Sequence, residues 1–378
     1  MLLRRRELTA LSESVPVQAV AEEIGLRLTS PDALVIRRRR CGCGFVYVDD
    51  RGKRIVDRRT LQRIRSLAIP PAYVEVRIAA DPDAHIQAIG QDEAGRTQYR
   101  YHPGWDEVRE GRKIERLAEL CSALPRIRRR AARDLQRPIP SRRKALAAVV
   151  TLIDRTHIRI GCEDYVHSGR SRGAATLLKR NVSREGDRLF LTFRGKGGRQ
   201  IRCEVVERTL VEACEEFRRL PGPRLFQYRN GTGELRPVTA ADANSYLQEI
   251  SGATVSAKDF RTLAATAAAA ERLLEFEPTG SRTVMRRQIG EVMRRISEML
   301  GNTPAVARKS YVHRRLIDSY EKGELPELFR KRRRRHLSRG ESAVFALFAH
   351  DSARSSKRKR SGSGIGSSSA VSESRPQR

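Results

Sequence analysis

Four short segments hold the side chains best suited to chemistry. His157-Ile-Arg-Ile-Gly161 places Arg159 at the close of an amphipathic helical pattern, just before a glycine that reads as its cap. Lys196 sits in the glycine-rich turn Arg194-Gly-Lys-Gly-Gly198. Lys258-Asp-Phe-Arg-Thr262 opens a helical pattern running from Arg261 to Leu274, where an anion would feel the positive helix end. Gly301-Asn-Thr-Pro304 starts a helix that brings Ser310-Tyr-Val-His313 about two turns later. Cleaving a phosphodiester without a metal needs a nucleophile, cations for the non-bridging oxygens and an acid for the leaving oxygen. These segments offer candidates for each.

The charge balance points to a polyanionic partner. The chain of 378 residues carries 76 Lys and Arg against 45 Asp and Glu, a net +31, and nucleic acid is the leading candidate. Only 11 of the 76 cations are lysines, and arginine is the better bidentate phosphate ligand. No stretch approaches the ~20 apolar residues of a membrane span, and the charged start Met1–Ala10 does not read as a secretory signal. A cytoplasmic protein follows, in a bacterium one of the nucleoid. The six cysteines include one close pair, Cys41-Gly-Cys43, and no second pair at zinc spacing, so no structural metal is expected.

The elements that must position these residues come in two textures. Short β-rich runs fill the first hundred residues, at 44–50, 73–78, 85–90 and 97–101, with a helix at about 58–67. Helical periodicity dominates from about 107, interrupted by a β-hairpin of 188–193 and 199–205 whose tip presents Lys196. After Pro326 the periodicity fades into basic runs at 330–335 and 357–360 and a Ser/Gly-rich end. The expected fold class is α+β. A β-rich N-terminal domain covers 1–105, a larger mainly helical domain 106–326, and a basic, largely disordered tail 327–378.

In this order the segments resemble the poxvirus and bacterial type IB DNA topoisomerases. The similarity runs from about Leu67 to Tyr320 and rests on Ile69-Pro-Pro-Ala72, Gln87-Ala-Ile-Gly90, Gly95-Arg-Thr-Gln-Tyr-Arg-Tyr101, Lys258-x-x-Arg261 and Gly301-Asn-Thr-Pro304 ahead of Tyr311. The resemblance implies that Tyr311 attacks the scissile phosphate, forms a 3′-phosphotyrosyl link and frees a 5′-hydroxyl strand. It implies that Arg159 and Arg261 hold the non-bridging oxygens and that Lys196 protonates the 5′ oxygen, as an ammonium can and a guanidinium effectively cannot. Asn302 stands where the best-known relatives carry histidine; it can donate a hydrogen bond but cannot exchange a proton near neutral pH. No cofactor, ATP or metal is then needed. The resemblance further implies a catalytic domain related to the tyrosine recombinase fold. Tyr99, Arg100 and Tyr101 would contact duplex DNA from the N-terminal domain, and the chain would act as a monomeric clamp hinged near residue 105.

Plainer roles stand beside these. Asn302 also suits the N-cap of the helix opened by Thr303-Pro304. Lys258 suits a phosphate contact or a surface helix start, and Tyr99 and Tyr101, on one side of a strand, suit DNA contact or core packing. His157 and His313 read as structural. A tyrosine recombinase would typically show His-x-x-Arg where this chain has Lys258-Asp-Phe-Arg261. A chromatin-like binding protein would need only the charge.

Overall fold

The computed structural model describes residues 17–348 apart from 164, 165, 167–170, 278 and 332. The chain divides into two compact units between Glu115 and Arg116. This lies beyond the change of texture expected near 105, because the helix that starts at Trp105 first packs backward. Val108 is buried with Ala21 and Leu26, and Trp105 covers them.

The first unit is built on a five-stranded antiparallel sheet in the order β2-β1-β3-β4-β5. Its strands are β1 (Ile36–Cys41), β2 (Gly44–Val48), β3 (Val74–Ile78), β4 (Ile86–Gln91) and β5 (Thr97–Tyr101). One face buries Ile36, Val76, Ile78 and Ala88 against Ile64 of helix α2 (Arg58–Ser66), which follows the short helix α1 (Val17–Glu23). Asp57 caps α2 by accepting from Thr60 N at 2.8 Å. β1 was not expected, since Ile36-Arg-Arg-Arg-Arg-Cys41 shows no apolar alternation. β5 is an edge strand, and there Tyr99 and Tyr101 are 43% and 39% exposed, so neither packs in the core.

The second unit is mainly helical. Helix α3 (Trp105–Leu135) runs into it from the first unit, and α4 (Arg142–Thr156) is buried along ten consecutive residues, Lys144–Ile153. A three-stranded sheet follows, of β6 (Val182–Glu185), β7 (Arg188–Arg194) and β8 (Gln200–Val205). The expected hairpin is the β7–β8 pair. Helices α5 (Arg208–Arg219), α6 (Ala240–Ser251), α7 (Ala257–Leu274) and α8 (Arg282–Leu300) complete the body, with the small hairpin of β9 (Gln227–Arg229) and β10 (Leu235–Pro237) before α6. An apolar cluster joins α7 and α8 to the tyrosine segment through Ala269, Leu273, Ile289, Val292, Ile296 and Tyr311.

Two expectations change here. The tail does not begin at 327. Helix α10 (Leu325–Arg330), after α9 (Arg314–Glu321), is followed by a further helix over 339–348 with Val344 and Phe348 fully buried. The sequence hid this helix because its few apolar residues come in one short patch, and ion pairs anchor it. Arg128 bridges Asp154 (2.8 Å) and Glu341 (2.7 Å), and Phe348 meets the His313 ring edge-on at 5.1 Å. The Lys357–Arg360 run and the Ser/Gly-rich end lie outside the described residues. The second change is at α4, which ends at Thr156 with His157 in the left-handed region (φ 56°), so Gly161 is not its cap.

Candidate active site

Arg159 is carried by an extended segment beyond α4, held in place by two glycines. Gly161 has φ +83°, and Gly173 lies so close that a Cβ added to it would come within 2.3 Å of the Arg159 carbonyl oxygen. That approach lets Ala174 N and Ala175 N donate to the Arg159 and Ile160 carbonyls, both at 2.8 Å. The backbone under Arg159 is thereby fixed.

Arg261 lies in the second turn of α7, whose start is set by Asp259, which accepts from Ser256 N and Ser256 Oγ, both at 2.8 Å. The expected helix began at Arg261; its true start at Ala257 turns the guanidinium inward, where the residue is 4% exposed. Its Nη1 donates to the His157 carbonyl and its Nη2 to the Leu300 carbonyl at 2.9 Å. One guanidinium thus ties the end of α4 to the end of α8 while lying 5.2 Å from the centre of the Tyr311 ring.

Asn302 and Tyr311 come from the turn after α8. Gly301 takes φ 62°, letting Asn302 N donate back to the Ser297 carbonyl at 2.8 Å. The N-cap of the next turn is Thr303, whose Oγ1 accepts from Val306 N, so Asn302 is not the cap. Pro304–Val306 then passes into a π-helical turn, Ala307–Tyr311. Tyr311 is 8% exposed; its carbonyl lies 3.1 Å from Thr266 Oγ1, whose one hydroxyl proton is shared with the Thr262 carbonyl at 2.8 Å and which accepts from His313 N at 3.4 Å.

These parts converge. Arg159 Nη2 donates to Asn302 Oδ1 at 2.9 Å and lies 3.4 Å from the Tyr311 hydroxyl. Burial works to raise the Tyr311 phenol, but the charges of Arg261 and Arg159 outweigh it, with Lys258 adding to them, and hold it below its ordinary value. Among the described residues, Asn302 Nδ2 and Arg261 Nε are buried without a hydrogen-bond partner. A tyrosine with a lowered pKa beside fixed guanidinium forks and spare N–H donors is equipped to attack and hold a tetrahedral anion.

Lys196 is exposed at the β7–β8 tip, where Gly197 and Gly198 both take φ +75°. It lines a cleft of ≈ 160 Å³ together with Arg159, Arg172, Arg261 and Gly301. Lys258 is exposed at the start of α7. Tyr99, Arg100 and Tyr101 belong to the other unit. The two tyrosine rings stack at 5.9 Å, and Arg100, on the opposite face, donates to the Ala68 carbonyl at 2.9 Å.

Several contributors were missed from sequence. Thr266 pins the tyrosine backbone, Arg199 Nη1 donates to the Asn302 carbonyl at 2.8 Å, and Arg172 lines the lysine cleft. Arg199 directly follows the lysine turn and could have been suggested by that, whereas Arg172, well before the turn in sequence, carries no such signal. His157 and His313 are structural, the first ending α4 and the second capping α9 through Nδ1, which accepts from Arg315 N at 3.1 Å.

Residues 103–333 match the family described as eukaryotic DNA topoisomerase I, catalytic core, and residues 44–92 match the bacterial DNA topoisomerase IB N-terminal domain. A DNA topoisomerase 1B of Acanthamoeba polyphaga mimivirus is 30% identical over 302 residues, covering 78% of this chain and 89% of the relative. Among the described residues no helix is long and apolar enough to cross a membrane. The chain belongs to the type IB DNA topoisomerase family.

Proposed function

We propose that Tyr311 is the nucleophile with which this topoisomerase opens one strand of supercoiled duplex DNA. Its hydroxyl gives up its proton to solvent, the phenolate oxygen attacks the scissile phosphorus, the P–O5′ bond breaks, and the 3′ end stays on the enzyme as a phosphotyrosyl ester. Arg159 and Arg261 neutralise the non-bridging oxygens, and Asn302 adds a neutral donor through Nδ2. Lys196 gives its proton to the departing 5′ oxygen. Religation runs the same steps backward, so the bond energy stays in the ester and neither ATP nor a metal enters the reaction. The observation that carries this reading is the Tyr311 hydroxyl lying 3.4 Å from Arg159, under a second buried arginine and next to Asn302 with its spare donor.

Lys258 sits at the positive end of α7, where a neighbouring phosphate gains from both charge and dipole. Tyr99 and Tyr101 contact the duplex from the first unit, the exposed rings offering flat surface to bases or sugars, while Arg100, on the opposite face and bonded to the Ala68 carbonyl, braces the strand that presents them. The chain acts as a monomer that clamps the duplex, since each chain carries a full set of reacting groups, and its catalytic fold is kin to that of tyrosine recombinases.

Supercoiled plasmid incubated in EDTA without ATP tests the proposal. Wild-type protein gives a ladder of relaxed topoisomers and Tyr311→Phe gives none. Relaxation by Tyr311→Phe overturns the assignment, and a gel shift without relaxation by wild-type protein favours a binding protein.

A further inference from the structure

The arginine run Arg37–Arg40 and the nearby Arg77 take no part in the site above. Residues directly opposed in neighbouring strands share a face. The register Arg37↔Arg77, Arg77↔Ile89, Ile89↔Tyr99 therefore draws one row across β1, β3, β4 and β5, with exposed Tyr99 at one end and Arg37 at the other; between them Ile89 is buried under Leu34, Ala79 and Ala84, which divides the face into an arginine end and a tyrosine end. Arg39 joins this face, two positions along β1 from Arg37.

Arg38 and Arg40 fall on the opposite face, and the contrast is informative. Arg38 is consumed by the fold: it donates to the carbonyls of Pro70 (3.1 Å) and Tyr73, and its guanidinium lies 4.2 Å from the Phe45 ring centre. Arg37 and Arg39 are exposed. Arg77 makes a 3.6 Å pair with Asp32, whose side chain is 93% exposed, an interaction worth little in water. Arg37, Arg39 and Arg77, together with part of Arg38, line a hollow of ≈ 570 Å³ with Gln91 and Thr97, and Glu75 is the acidic residue facing it. At ~4.8 Å per strand, Arg37 stands about 14 Å across the sheet from Tyr99. The DNA major groove is ~12 Å wide.

We propose that Arg37, Arg39 and Arg77 hold the sugar-phosphate backbone flanking the groove that Tyr99 and Tyr101 face, so the first unit grips duplex DNA at both exposed ends of this sheet face. This rests on the reading of Tyr99 and Tyr101 as DNA contacts. A face that was merely solvated would have no reason to hold its arginines in register with those rings.

The test uses the full-length chain and a fluorescent duplex, with binding measured across a salt series. In Arg37→Ala/Arg39→Ala/Arg77→Ala the slope of log affinity against log salt falls by about 2 to 3, near 0.9 per phosphate lost. The loss is the same for duplexes of unrelated sequence. Arg40→Ala, on the same strand but the opposite face, keeps the wild-type slope. Glu75→Gln binds more tightly. The corresponding triple lysine variant retains the slope, which separates lost charge from lost fold. An unchanged slope in the alanine triple, or an equal drop in Arg40→Ala, overturns the proposal. If Tyr99→Ala/Tyr101→Ala binds like wild type while the triple loses slope, the tyrosine reading fails and the phosphate contact stands.

Discussion

Replacing Arg261 by lysine keeps the charge and removes the fork. The guanidinium serves two carbonyls, those of His157 and Leu300, through separate nitrogens at a position only 4% exposed. A single ammonium can reach one of them, leaving the other buried and unpaired at a cost of about 1–3 kcal/mol. In a unit of this size that lowers the midpoint of thermal unfolding by about 2–12 °C. On the proposed mechanism the same change also removes a fixed donor to the developing phosphorane. Losing one such donor typically costs about 10²–10³ in rate. Single-turnover formation of the covalent adduct, at temperatures well below the unfolding midpoint, reads the second effect apart from the first. Duplex affinity changes little, because one cation of that charge remains. Adduct formation within about threefold of wild type would refute the view that the fork, rather than the charge alone, acts on the phosphate.

Other consequences follow from the same geometry. Thr266→Val removes the hydroxyl that holds the Tyr311 carbonyl at 3.1 Å while keeping the volume. Adduct formation should slow about tenfold or more with duplex affinity unchanged, and Thr266→Ser should restore most of the rate; equal rates in both variants exclude a positioning role. Asn302→Ala leaves Arg159 without its 2.9 Å acceptor and removes the spare Nδ2 donor, so the cleavage rate falls about 10²-fold, whereas Asn302→His retains a donor and keeps most of it. A histidine variant as slow as the alanine variant argues against the donor. Because Arg261 and Arg159 outweigh burial and hold the Tyr311 phenol below 10.0, the ionised form becomes available at lower pH. The rising limb of cleavage against pH should lie below that of free tyrosine and move upward in Arg159→Ala; a limb that stays in place removes Arg159 as a cause.

Much of the site was legible because its parts sit in turns with their own local signatures. Gly301-Asn-Thr-Pro304 shows a helix stop followed by a helix start, and Gly-Lys-Gly-Gly can only be a tip. Positions set by long-range bonds were not legible. Whether Arg159 lay on a helix depended on His157 adopting a left-handed conformation, which histidine does uncommonly. Thr266 looks like any mid-helix threonine until Tyr311 is folded against it. β1 was hidden by its four arginines, since a strand with charge on both faces breaks the period-two pattern. The helix at 339–348 escaped notice for a related reason: its anchors are distant in sequence, Arg128 to Glu341 by 213 residues and Gly340 N to Glu271 by 69.

The proposed mechanism requires a covalent bond between Tyr311 and DNA. A duplex labelled on the strand to be cut, incubated with the protein and denatured rapidly, separates covalent from non-covalent complexes. Wild-type protein should retain the label through the 3′ phosphate, with peptide mapping placing it on Tyr311, while Tyr311→Phe binds the duplex and retains none. Label retained by Tyr311→Phe, or mapped to another residue in the wild-type protein, would contradict the mechanism.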